Sequence, residues 1–250
     1  MEQIADLTPL SDLKNLTSLT LGGRLSKITD LSPIGELTNL ERLRFWGGEY
    51  PTDLTPLSKL KNLTYLELSN LHDIDLTPIG ELTNLPSLSI FRSQITDINP
   101  LGRLVNLTEL YLHDNALTDI TPLGRLVNLE WMELAYIRVN DLTPLGKLEN
   151  LEYLRLWFIS NTDITPLSGL TNLQELRLLW NDITDLTPLI KLENLKILKL
   201  SQRETADISP LMQLANLQRF EWEWNSVCRE QLEALQEARP NLQIFEIIIT

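Results

Sequence analysis

Leucines recur along this chain in one phrase, Leu-x-x-Leu-x-Leu, as in Leu107-Thr108-Glu109-Leu110-Tyr111-Leu112. Its closing Leu-x-Leu alternates apolar and polar positions, which predicts a short strand with one face buried. Ahead of each phrase stands Asp-(Leu/Ile)-(Thr/Ser/Asn)-Pro-(Leu/Ile), beginning at Asp6, Asp30, Asp53, Asp75, Asp97, Asp119, Asp141, Asp163, Asp185 and Asp207. The intervals are 24, then 23, then 22 residues seven times. An Asn-Leu pair follows each motif, at Asn15, Asn39, Asn62, Asn84, Asn106, Asn128, Asn150, Asn172, Asn194 and Asn216.

Twenty-two residues are too few for a strand, a full helix and two loops. The Asp-x-Thr-Pro-Leu segment therefore predicts a short turn of 3-10 or α-helix. Asp or Thr would cap its N–H groups, and Pro suits a first turn that needs no N–H donor. The Asn before each strand reads as a turn residue that bonds backbone. One such unit cannot bury its leucines alone, so neighbours must stack into a continuous core.

These motifs carry a resemblance. The chain resembles leucine-rich repeat proteins of the 22-residue class, the class of bacterial internalins and of the regulatory subunit of protein phosphatase 1. The resemblance covers about residues 4–225. It implies an α/β solenoid, a leucine-rich repeat horseshoe with a parallel concave β-sheet and short 3-10 or α-helical turns on the convex side. It also implies a non-catalytic protein–protein interaction module. One column departs from the family pattern, which sets Asn three residues after the last strand leucine. Here only Asn115, Asn181 and Asn225 fit, while other repeats carry Arg24, Gly48, Leu71, Ser93, Ile137, Ile159 and Arg203.

The expected organisation is ten tandem repeats over 1–227 and a C-terminal cap over 228–250. The cap reading rests on Arg229–Ala238, a good helix former with apolar residues at helical spacing, followed by Pro240 and a strand-like Asn241–Phe245. No N-terminal cap is seen. An uncapped end exposes leucines and strand backbone. Two readings follow: a chain cut from a longer, bacterial protein, which is favoured, or self-association through the uncapped N-terminal end.

Composition narrows the chemistry. The net charge of −13, with 34 acidic against 21 basic residues, argues against binding phosphate backbones or anionic lipid. No apolar run reaches the roughly 18–20 residues that span a bilayer, so no membrane insertion is expected. The start, Met1 to Asp6, lacks the features of a signal peptide, which points to a cytoplasmic chain. Cys228 is the only cysteine, and His72 and His113 the only histidines, with no partners at metal spacing. No metal, no cofactor and no enzyme activity are expected. The ten repeated aspartates could attract calcium as an acidic ladder, but calcium wants six to eight oxygens from one compact loop, so capping is the better account.

What remains is the set of residues alternating with the buried leucines: places three, five and seven from the first leucine, with place eight at the rim. The chain has sixteen aromatics, and eleven of them fall at these four places. The densest stretch comprises Tyr111, Trp131, Glu133, Tyr136, Tyr153, Arg155, Trp157, Phe158, Arg177 and Trp180. A second group is Arg42, Arg44, Trp46, Tyr65 and Phe91. Outward aromatics add nothing to a solenoid core and mark an interaction surface; Tyr, Trp and Arg are also the residues enriched in binding hot spots. The expectation is a partner protein or peptide, and no nucleic acid, on an aromatic-rich concave face. The competing reading is that these rings merely pack on each other across strands. A structural scaffold or self-associating, consensus-derived repeat protein is the alternative function. The longer first and second repeats, Gly22–Lys27 and Trp46–Thr52, would raise a lip at one end of the groove or are tolerated insertions.

Overall fold

The computed structural model describes residues 6–23, 28–46, 53–72, 74–159, 163–202, 207–223 and 227–247. Most of both insertions, together with Arg203, Trp224 and Asn225, lies outside the described residues. The chain divides into two compact units, Met1–Leu117 and Thr118–Thr250.

In the first unit five parallel strands follow one another in chain order: β1 Ser18–Gly22, β2 Arg42–Trp46, β3 Tyr65–Ser69, β4 Ser87–Phe91 and β5 Glu109–His113. The register is set by the repeat itself, pairing Leu19 with Leu43, Leu43 with Leu66, Leu66 with Leu88 and Leu88 with Leu110. A one-residue slip would turn every leucine to solvent. Between strands come 3-10 turns at Thr8–Leu10, Thr55–Lys59, Ile79–Glu81 and Asn99–Arg103, and one α turn, α1, at Ser32–Gly35.

The second unit holds β6 Trp131–Ile137, β7 Tyr153–Ile159, β8 Glu175–Asn181, β9 Ile197–Gln202, β10 Arg219–Glu223 and β11 Gln243–Ile247; all described pairings are parallel. Its 3-10 turns are Thr121–Arg125, Thr143–Lys147, Thr165–Gly169, Thr187–Lys191 and Ser209–Gln213. A ten-residue helix, α2 Arg229–Ala238, precedes β11. The core of both units is a stack of leucine layers. Leu66, Leu88, Leu110, Leu176 and Leu198 are wholly buried, and so are Leu101, Leu145 and Leu189 from the turns. Each such side chain contributes about 1.5–3 kcal/mol.

The polar columns hold the backbone. All ten repeated aspartates accept the N–H of the residue two further on through Oδ1, at 2.8–2.9 Å. Nine of them sit one residue ahead of the formal cap position, Asp75 three ahead of the cap at Pro78, and each closes an Asx turn. The Asn column bonds backbone, as its place before each strand suggests, and it does so across repeats. Nδ2 donates to a carbonyl of the preceding repeat: Asn39 to Lys14, Asn62 to Thr38, Asn150 to Val127, Asn172 to Glu149, Asn194 to Thr171 and Asn216 to Glu193, at 2.7–2.9 Å. On the turn side, a Cβ at Gly80 would lie 2.5 Å from the Pro100 carbonyl, so glycine there lets adjacent turns touch.

The irregular column is also filled. Asn115 accepts from the N–H of Ser93 and donates to the Ile90 carbonyl; Asn181 accepts from Ile159 N–H and donates to Leu156. Ser93 stands in for Asn, accepting the N–H of Leu71 through its hydroxyl. Leu71, Ile137 and Ile159 use the same place to add apolar burial. At the C-terminal end the half-buried Arg239 donates to the carbonyls of Leu214, Ala215 and Leu217 and ties the chain after α2 to the last 3-10 turn. Charge-assisted bonds of this kind are strong. Arg239→Ala should lower the urea midpoint and raise amide exchange selectively in Leu214–Leu217 and Gln243–Ile247.

The capping carboxylates give a pH dependence. In Asp6, Asp30, Asp53, Asp75, Asp119, Asp141, Asp163 and Asp185 the pKa lies below the usual value, first through the side-chain and then the backbone hydrogen bond from the Ser or Thr two residues on. The folded form holds these protons less tightly than the unfolded chain. The stabilisation is therefore complete above about pH 4, the unfolded aspartate range, and is lost as pH falls through the lowered folded values. Thermal melts should be flat from neutral pH down to about pH 5 and fall steeply below about pH 4. Asp119→Asn, Asp141→Asn and Asp163→Asn together keep an acceptor oxygen and should flatten that acid limb.

Candidate functional site

The outward face of the second unit is built from three rows, each made of one place in the repeat. Place three gives Trp131, Tyr153 and Glu175 in register; place five gives Glu133, Arg155, Arg177 and Lys199; place seven gives Ala135, Trp157 and Leu179. Trp131 and Tyr153 stack at 4.7 Å between ring centroids, 26° from parallel. Beside them Arg155 Nη1 donates to both carboxylate oxygens of Glu133, at 3.0 and 3.1 Å. Glu133 is only 5 % exposed, so this is a covered ion pair and not a free acid. Arg177 pairs with Glu175, and Lys199 and Arg219 with Glu221. Every cation of this patch thus has an acid beside it.

Place seven does not present a full outward row. Ala135 is 1 % and Leu179 4 % exposed; they flank Trp157 and form an apolar floor with it. Two covered donors on this face, Trp157 Nε1 and Arg155 Nε, have no acceptor among the described residues.

At place eight the sequence reading named the residues but not their backbone conformation. Tyr136, Phe158 and Trp180 have φ of +54°, +50° and +56°. Strand pairing skips this place: Ala135 pairs with Trp157 and Ile137 with Ile159, while Tyr136 and Phe158 fall between; in β8–β9 the register shifts here, between Leu179 and Asn181. A non-glycine residue in this left-handed region costs about 1–2 kcal/mol. The same place in the first unit carries Asn70 and Asp114, at φ +56° and +51°, types that tolerate it, and also Arg92 at +50°. That substitution pattern was the available signal. The three rings form a continuous ladder: Tyr136 on Phe158 at 4.9 Å and Phe158 on Trp180 at 5.6 Å, with Tyr136 also against Trp157 at 5.7 Å. Stacking returns about 0.5–1.5 kcal/mol per pair, which leaves the column close to neutral or strained. Tyr136 remains 45 % exposed.

Tyr111 lies on β5 in the first unit, half-buried, beside Ser89 of β4. The second predicted group also belongs to that unit and splits in two. Arg42 and Arg44 approach the Tyr65 ring at 5.0 and 5.2 Å, and Tyr65 donates to Glu67 Oε2 at 2.7 Å. Burial, then the Glu67 bond, pushes the Tyr65 phenol above its usual pKa, so it stays a neutral donor. Trp46 covers Gly22, where a Cβ would come within 2.5 Å of the indole. Phe91 instead meets His113 edge-on at 5.0 Å. Among the described residues no three or more His, Cys, Asp or Glu side chains converge to hold a metal ion, and no helix is long and apolar enough to cross a membrane.

Strands in parallel register, one per repeat, alternating with 3-10 turns, define a leucine-rich repeat solenoid. A model of tandem leucine-rich repeats matches residues 83–125. An internalin of Listeria monocytogenes, inlF, is 30 % identical over 99 % of this chain and 73 % of its own, with a TM-score of 0.82. Internalin C2 of the same organism is 31 % identical over 75 % of this chain and 82 % of its own, with a TM-score of 0.66. No curated protein matches the chain. The chain belongs to the leucine-rich repeat family, of the internalin type. Such folds commonly mediate protein–protein contacts and are generally not enzymes.

The left-handed column makes a prediction of its own. In an ordinary strand glycine is less stable than alanine by about 0.5–1 kcal/mol. At positions 158 and 180 the order should reverse, with Phe158→Gly and Trp180→Gly unfolding at higher urea than Phe158→Ala and Trp180→Ala. Alanine proving the more stable at both would remove the strain.

Proposed function

We propose that this chain is a non-catalytic binding module that holds a partner protein or peptide on the outward sheet face of its second unit. Trp131, Tyr153 and Trp157 are the anchors, Arg155 and Arg177 the polar contacts. The observation that supports this is the pairing of every cation in the patch beside half-buried rings. A face made only to stay soluble has no use for half-exposed indoles, while a face made to be covered needs its charges neutralised beforehand. Because the charges are paired, association gains little from long-range steering, and selectivity comes from shape.

Arg42, Arg44, Trp46, Tyr65 and Phe91 form a subsidiary contact of the first unit, with Tyr111 as a further contact there. Stacking accounts for part of the arrangement without any partner, since Trp131 packs on Tyr153. It does not account for the 38 % exposure of Trp46 or the 45 % exposure of Tyr136. A chain that self-associates through its N-terminal end is the second reading. The half-exposed Leu16, Leu19 and Leu21 favour it.

The two separate experimentally. Alanine at Trp131, Tyr153, Trp157 and Trp180 together should abolish retention of the partner in affinity capture with mass spectrometry, while far-ultraviolet circular dichroism stays that of the parent chain. Unchanged retention by the folded variant rejects the assignment. Light scattering that shows a concentration-dependent dimer, dispersed by Leu19→Lys, supports the second reading instead.

A further inference from the structure

We infer that the ledge of Tyr136, Phe158 and Trp180 seats an amphipathic α-helix of a partner protein, laid across the strands with one helical turn per repeat. This rests on the reading of the second unit's face as a docking surface and names its occupant.

The first support is backbone conformation. Three consecutive repeats place bulky rings where φ is +50° to +56°, although the first unit shows at Asn70 and Asp114 that residues suited to that conformation are accommodated at the same place. Rings kept at a conformational disadvantage, with Tyr136 nearly half exposed, are suited to making contacts outside the chain.

Spacing is the second support. The ring centroids are 4.9 and 5.6 Å apart. Those steps bracket the pitch of an α-helix, about 5.4 Å. Same-side residues of an extended strand recur at about 6.7 Å, and those of a polyproline helix at about 9.3 Å; both fall out of step within two repeats. A helix lying along the ladder sets the side chains at i, i+3 or i+4, and i+7 against successive rings, the usual way a groove reads a helix.

Charge is the third. The floor next to the ladder is Ala135, Trp157 and Leu179, and the row beyond it is closed by the Glu133–Arg155 and Glu175–Arg177 pairs. The strip is two columns wide, apolar, and offers no unpaired charge along its length. The complementary surface is an uncharged apolar stripe with polar residues only on its far side.

The test pans two display libraries on the full chain, one of single helices with one randomised face and one of randomised extended hairpin strands. Binders should come from the helix library and carry apolar residues at i, i+3 or i+4, and i+7. Their affinity should change little between low and high salt. It should fall at least about tenfold on a chain carrying Tyr136→Asn, Phe158→Asn and Trp180→Asn, as expected for loss of a hot-spot cluster. Asparagine suits the left-handed backbone, and Phe158→Asn alone, with a smaller loss in the same direction, serves if the triple variant folds poorly. An empty helix library, binders drawn only from the strand library, or helix binders indifferent to the asparagine variants overturn the inference. Helix binders sensitive to Trp131→Ala and Tyr153→Ala but not to the asparagine variants also overturn it, and leave the docking face standing.

Discussion

No repeat of this chain can bury its own leucines, and everything else follows from that. A unit of 22 residues has one strand of five to seven residues and one turn of 3-10 helix. Alone it would expose every apolar side chain and both edges of its strand. Stacked, it places each residue beside its counterpart in the next repeat, so a choice made at one position is repeated as a column. The columns divide by what the backbone demands. Asp closes the turn locally, Asn stitches one repeat to the one before, and Gly80 lets the turn approach the Pro100 carbonyl. Only where no backbone group needs a partner, at the outward places, is the residue type free to vary.

That division explains what was legible in the sequence. The parallel sheet, the 3-10 turns and the leucine layers could be read because period and alternation are geometric facts about the chain. Internalin relatives share them at 30–31 % identity. The candidate site was legible only in part. Alternation tells which side of a strand a residue faces, and Trp131, Tyr153 and Arg155 do face outward in register. It does not tell how deep a small residue sits between two large ones, so Ala135 and Leu179 read as surface and are floor. Nor does it report φ. The left-handed backbone at place eight was hidden because Tyr136, Phe158 and Trp180 look like rim decoration until Asn70 and Asp114 are set beside them. The Asn column was legible as a residue that bonds backbone, but not which backbone: the acceptor lies 23 to 25 residues away, in the preceding repeat.

The distribution of charge has the same origin. The chain carries a net −13, yet the outward face of the second unit pairs Glu133 with Arg155, Glu175 with Arg177, and Glu221 with Lys199 and Arg219. Much of the excess acid sits in the capping column, where each carboxylate is exposed and bound to an N–H. The acidic character is therefore largely a by-product of closing ten turns. It sets up charge repulsion between molecules and says little about the sheet face.

Strain at place eight fits the same frame. A left-handed residue departs from the strand conformation, but here that place lies between two paired positions, Ala135 with Trp157 and Ile137 with Ile159. The ladder resumes after it, and Asn181 secures the next N–H, that of Ile159. One residue per repeat thus leaves the strand conformation without leaving the stack: in the first unit the N–H of Asn70 and of Arg92 at this place still donates to the next repeat, at the carbonyls of Phe91 and His113. A ring there costs local conformational energy without disturbing the leucine layers, because those layers are fixed by register and not by φ at place eight. The column can therefore carry bulky side chains while the leucine layers keep their register.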